Sequence, residues 1–99
     1  MTITVIGLGL IGSSIALDLK ARGFATHIIG IDNNPLHSKQ ALERGIVNEI
    51  KSLTETQDLS FLQSDLIILA IHVSEITKLL PRIMDNIGEN TVVMDVGST

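Results

Sequence analysis

The 99 residues predict a doubly wound α/β domain, a Rossmann-type parallel sheet with helices on both faces, on three observations. Short apolar runs alternate with stretches of helical period along the chain, the pattern of strand–crossover–strand units. Three glycines, Gly7, Gly9 and Gly12, stand between the first apolar run and the first helical stretch. A carboxylate, Asp32, closes the second apolar run, as in dinucleotide-binding sheets, where such an acid follows about twenty residues after the glycines. The expected strand order is 3-2-1-4-5, with the ligand outside the carboxyl ends of the first and fourth strands, where the winding reverses.

Residues 2–6 read as a central strand, apolar on both faces. From Leu10 to about Arg22 the period becomes helical, with Gly12, Ile15, Ala16 and Leu19 on one face and Gly23 as cap. His27–Ile31 is the second strand. Asn33 or Asn34 caps the next helix, with Pro35 in its first turn, and Gly45 closes it beyond Arg44. The apolar stripe of that helix is Leu36, Ala41 and Leu42. Ile46–Ile50 suits an edge strand or loop. Residues 51–64 are polar, with Leu59, Phe61 and Leu62 in one short helix. Leu66–Ile71 is the most apolar run and reads as a buried strand. Ser74 and Glu75 open a helix to about Ile87, which Pro81 kinks or splits near Leu80. Residues 91–96 form a last strand, left as an uncovered edge.

The 99 residues suffice for one domain with a small core, since 44% of them are hydrophobic. The net charge of −4, without a basic block and with only Phe24 and Phe61 as aromatics, argues against a nucleic-acid surface. Without cysteine there is neither a disulfide framework nor a thiolate metal site, and the three histidines are not spaced as metal ligands. No apolar run approaches the ~20 residues of a membrane span. A strand that starts directly after Met1 leaves no room for a signal peptide, so a cytoplasmic domain is expected.

The loop Gly7-Leu8-Gly9-Leu10-Ile11-Gly12 gives each glycine a task. Gly7 turns the chain out of its strand, Gly9 lets a pyrophosphate approach the backbone, and Gly12 lets the helix pack close to its strand. The free N–H groups and positive end of that helix, from Leu10 and Ile11 onward, then face phosphates. Asp32 accepts from the hydroxyls of an adenosine ribose and repels a 2′-phosphate. One such charge pair at ~4 Å and an effective dielectric of about 20 is worth roughly 4 kcal/mol before solvation reduces it. Asn33 and Asn34 bring no cation, so NAD is expected over NADP. His72 follows the fourth strand at the same sheet edge, where an imidazole suits a general base, a cofactor or substrate contact, or a plain loop position. His27 and His37 read as structural or exposed. Ser98 follows the last strand, where a hydroxyl binds substrate or caps a further helix.

Three segments together resemble the nucleotide domain of prephenate/arogenate dehydrogenases: Val5–Ser14 with its glycine loop, Leu69-Ala70-Ile71-His72-Val73, and Met94-Asp95-Val96-Gly97-Ser98-Thr99. The resemblance covers essentially all of residues 1–99. It implies an NAD-dependent enzyme of tyrosine biosynthesis that oxidises the ring alcohol of prephenate or arogenate while the ring carboxylate leaves as CO₂. It implies that Gly7, Gly9, Gly12 and Asp32, with Leu10, Ile11 and Asn33 beside them, hold NAD. Ala70, Ile71 and His72 through Val73 then line the nicotinamide half. Ser98 matches the family serine that approaches the substrate hydroxyl and the catalytic histidine. That histidine lies beyond Ser98 in the family, as does a helical dimerisation domain, so the chain reads as a cofactor-binding fragment of a homodimeric enzyme. The family often has proline where His72 stands, and no role is carried onto it. The rivals are another Rossmann dehydrogenase acting on a small acid, disfavoured by Leu10-Ile11 and the Asp95-to-Ser98 ending, and a non-catalytic NAD-binding, redox-sensing module.

Overall fold

The computed structural model describes residues 1–51 and 59–96. Along the chain β1 (Thr2–Ile6), α1 (Leu10–Ala21), β2 (His27–Ile31), α2 (Pro35–Glu43) and β3 (Glu49–Ile50) come first. A 3-10 turn at Ser60–Gln63, β4 (Leu66–Leu69), α3 (Val73–Met84) and β5 (Val92–Asp95) follow. The strands form one sheet in the order β3-β2-β1-β4-β5, with every neighbouring pair parallel, as the alternating pattern predicts.

Because successive strand residues point to opposite faces, a central strand feeds two cores at once. Ile3 and Val5 of β1 pack with Ile28, Ile68 and the helix residues Ala16 and Ala41 on the face covered by α1 and α2. Ile6 packs with Ile67, Leu69, Leu62, Ile76 and Ile83 on the face covered by the 3-10 turn and α3. Thr4 is buried on this second side, and its hydroxyl donates to the Phe61 carbonyl (3.1 Å) and pairs with Ser64 Oγ (2.6 Å). That pairing offsets the cost of a buried polar group and pins the 3-10 turn to the centre of the sheet.

Four local expectations are revised. Pro81 neither splits α3 nor ends it: Val73–Met84 is one helix with Pro81 inside. Proline removes its own N–H, but its carbonyl still accepts from Asp85 N–H (3.1 Å). Ile76 and Ile83, one face and seven residues apart, are buried on either side of it and hold the helix together. The helix also ends earlier than expected, at Met84 rather than near Ile87. β4 ends at Leu69, so Ala70 and Ile71 leave the ladder at the sheet's carboxyl edge. In α2 only Ala41 of the expected stripe is buried, while Leu36 and Leu42 face solvent; Ile46 and Val47, after the helix, supply the missing apolar cover. The short-helix expectation is met at Ser60–Gln63, and the polar stretch at 52–58 lies outside the described residues.

Candidate functional site

β1 and β4 are adjacent, and the chain leaves their carboxyl ends toward opposite sides of the sheet, so the two following loops border the crevice where α/β sheets take ligands. Gly7 turns out of β1 at φ +103, a conformation that side chains rarely adopt, with its N–H on the Ile31 carbonyl (2.7 Å). A methyl group at Gly7 would run into the backbone carbonyl of Ala70, and one at Gly12 into the carbonyl of Gly7. The close contact that Gly12 permits is therefore with the turn itself and with Ala70 at the end of β4. Gly9 differs from both. A Cβ there would meet nothing within 4 Å. No protein packing asks for glycine at this position, whereas a ligand laid against the backbone would. Gly9 is also the N-cap of α1 and offers no side chain to its orphan N–H groups, so the helix start at Leu10 and Ile11, both exposed, is open to an anion.

Asp32 follows β2, with its side chain 12% exposed. Its Oδ2 accepts from Leu8 N–H (2.7 Å) inside the glycine loop, and its Oδ1 accepts from Asn34 N–H (2.8 Å). The carboxylate thus braces the loop against the start of α2 while keeping lone pairs for a ligand. The cap of α2 is Asn34, whose side chain accepts from Leu36 N–H (2.9 Å). Asn33 is exposed beside Asp32. The residue that sequence reasoning passed over is His37. Its Nδ1 lies 3.1 Å from Asp32 Oδ2, across the turn from β2 into α2. From His37 a groove of about 240 Å³ runs between the two helices past Leu10, Ser13 and Gln40 to Arg44.

On the β4 side, Ala70 and Ile71 are partly buried and His72 is exposed. His72 is the N-cap of α3, two residues earlier than the Ser74–Glu75 start expected. Its Nδ1 accepts from Ser74 N–H (3.3 Å) and pairs with Ser74 Oγ (3.0 Å), and among the described residues no carboxylate orients it. Ser98 lies outside the described residues. His27, at the start of β2, pairs through Nε2 with Glu49 Oε2 (2.5 Å) on the edge strand β3. That hydrogen bond, opposed by desolvation and helped by Lys51, holds the Glu49 carboxyl below the usual glutamate range. Among the described residues no three His, Cys, Asp or Glu side chains gather as a metal site, and no helix is long and apolar enough to cross a membrane.

Residues 15–99 match the family model described as prephenate dehydrogenase, nucleotide-binding domain. A prephenate dehydrogenase of Lactococcus lactis is 36% identical over 98 residues, which are 98% of this chain and 26% of that protein. The crystal structure of prephenate dehydrogenase from Aquifex aeolicus in complex with hydroxyphenyl propionate and NAD+ superposes with a TM-score of 0.87 at 26% identity. It covers 100% of this chain and 34% of that one. An alcohol dehydrogenase from a Thermus species, 19% identical with a TM-score of 0.76 over 99% of this chain and 29% of its own, shares the fold. The chain spans about a quarter to a third of the length of the prephenate dehydrogenases it matches. A parallel sheet wound 3-2-1-4-5, a glycine loop braced by Asp32 and a family match over residues 15–99 agree: the chain belongs to the family of prephenate dehydrogenase nucleotide-binding domains.

Proposed function

We propose that this chain is the NAD-holding domain, residues 1–99, of a cytoplasmic, homodimeric dehydrogenase that carries out the oxidative decarboxylation of prephenate or arogenate in tyrosine biosynthesis. The observation that carries the reading is Gly9: a glycine that packing does not require, set between two that it does, at the uncapped start of α1. The backbone there fits a pyrophosphate, with N–H groups of Leu10 and Ile11 directed to it and Gly7 and Gly12 fixing the turn. Asp32, with Asn33 beside it, takes the adenosine ribose. Ala70, Ile71 and His72 border the nicotinamide half, and Ser98 approaches the substrate hydroxyl.

When bound, NAD supplies the hydride acceptor for the ring alcohol. The chain's own residues position rather than react. The helix start neutralises phosphate charge, Asp32 fixes the ribose, and the Ala70–His72 loop sets the approach to the ring. No general base is assigned to this chain, since His72 is held as a helix cap; the base comes from outside residues 1–99. Calorimetric titration with NAD and, separately, NADP tests the reading. Saturable binding with NAD the tighter ligand is the expected result. Tighter NADP would remove Asp32 from the ribose, and no binding of either would overturn the assignment of the loop.

A further inference from the structure

The Asp32 carboxylate does not stand alone. Its Oδ2 is shared between Leu8 N–H and the Nδ1 of His37, 3.1 Å away, and the His37 side chain is 40% exposed and in contact with solvent. On the same face of α2, one and two turns further on, Gln40 and Arg44 border the groove that begins at His37. Among the described residues no side-chain hydrogen bond or ion pair occupies the Arg44 guanidinium. The charged group facing His37 is therefore Asp32 from the end of β2, and Arg44, the C-cap of α2, borders the same groove. α1 faces the groove with Leu10 and Ser13, which carry no charge, and its Lys20 is turned to the Gly45 carbonyl (2.6 Å). Lys39 and Glu43 pair with each other, with both side chains mostly exposed.

We infer that His37 is a specificity-determining residue whose protonation sets how strongly Asp32 rejects a 2′-phosphorylated cofactor, with Arg44 receiving that phosphate. The inference rests on the ribose role proposed for Asp32. With His37 neutral, its Nδ1–H donates to Oδ2 and the Asp32 carboxylate keeps its negative charge beside the ribose 2′ position; the 2′ and 3′ hydroxyls are the better ligand. With His37 protonated, a positive charge lies 3.1 Å from Oδ2 and offsets the carboxylate's charge beside the 2′ position. NADP then loses a repulsion, while the hydrogen-bond acceptors open to NAD stay the same. The direction is fixed by the geometry: acid narrows the preference for NAD, and base widens it.

The test is the ratio of NADP to NAD dissociation constants for the 99-residue chain at about pH 6 and about pH 8, a window in which histidine changes charge. The wild type should show a ratio that falls on the order of tenfold toward acid, the size of one partly screened charge interaction. His37→Gln, which keeps a hydrogen-bond donor for Asp32 but cannot be protonated, should keep only the part of the change that the phosphate's own ionisation produces, clearly less than the wild type. The second ionisation of the 2′-phosphate, near pH 6, is common to both proteins and cancels between them. Arg44→Gln should weaken NADP more than NAD, most of all at the lower pH. A wild-type ratio that does not change with pH, or an equal change in His37→Gln, overturns the role of His37 alone. Failure of the wild type to bind either dinucleotide at both pH values overturns the cofactor reading and this inference together.

Discussion

The carboxyl edge of the sheet has two halves, and they are built differently. On the β1–β2 half, nearly every contact is fixed by this chain's own backbone: Gly7 on the Ile31 carbonyl, Asp32 on Leu8 N–H and Asn34 N–H, and Gly12 against the Gly7 carbonyl. On the β4–β5 half the side chains present surface instead. Among the described residues His72 bonds only within its own turn, and it is exposed. The first half is preorganised and the second is open. Under the proposed cofactor role, holding falls to the glycine-loop half and access to the other.

The largest effects should come from breaking the braced half at its two packed glycines. Gly7→Ala adds a methyl group against the Ala70 carbonyl at a φ of +103, and overpacking plus backbone strain should together cost about 2–5 kcal/mol. For a domain this small, with roughly 5–15 kcal/mol in total, that is a large share of its stability. Gly12→Ala, whose methyl group would meet the Gly7 carbonyl, should cost a similar amount. Gly9→Val provides the contrast. Its side chain enters open space at φ −73, so urea unfolding should shift by less than about 1 kcal/mol, the loss of a glycine N-cap and the stiffer unfolded chain opposing each other. Dinucleotide binding should nonetheless be lost. If Gly9→Val unfolds as readily as Gly12→Ala, the three glycines share one structural role and the argument for a ligand at Gly9 fails.

Asp32→Asn should act next in size and on both properties. One amide oxygen can keep Leu8 N–H or Asn34 N–H but not both with a full charge, so about 1–2 kcal/mol of stability should go with the charge-assisted bonds. The preference for NAD should narrow in the same variant. Calorimetry alongside chemical denaturation separates the two: unchanged selectivity with reduced stability would leave Asp32 as a brace and nothing more.

These contrasts also mark what the sequence made legible. The strand order and the glycine loop were readable because apolar runs and glycines are local signals that a parallel sheet leaves little freedom to rearrange. The individual roles of the glycines were only partly so: that a side chain at Gly12 would strike the turn, and one at Gly9 nothing, depends on how the end of β4 approaches the end of β1. His37 was read as structural or exposed because its partner, five residues earlier, is reached only after Asn33-Asn34-Pro35 turns the chain back. The split expected at Pro81 and the start of α3 expected at Ser74 were misjudged for a related reason. Burial of Ile76 and Ile83 outweighs the hydrogen bond that Pro81 omits, and an imidazole took the capping place that spacing assigned near Ser74.

The smallest effect lies at the edge strand β3, where the braced half ends. Glu49 hydrogen-bonds His27 and sits 3.4 Å from Lys51 Nζ, and its carboxyl is held below the usual range chiefly by the His27 hydrogen bond. A carboxyl lowered on folding contributes stability above its unfolded value, near 4.3 for glutamate, and loses it as pH falls through the folded value. The pair is more than a third exposed, so screening leaves it below about 1 kcal/mol. Glu49→Gln should therefore be slightly less stable than the wild type at neutral pH, and the difference should vanish in acid below the carboxyl range, as read from urea midpoints at both pH values. A difference that persists in acid would mean that Glu49 acts through packing or a neutral hydrogen bond. Because β3 contributes only two residues to the sheet and none to the ligand crevice, cofactor selectivity in this variant should follow the wild type. A change there would mean that the bracing of Asp32 extends through β2 to the sheet edge, and that the boundary between the preorganised and open halves lies elsewhere than at the glycine loop.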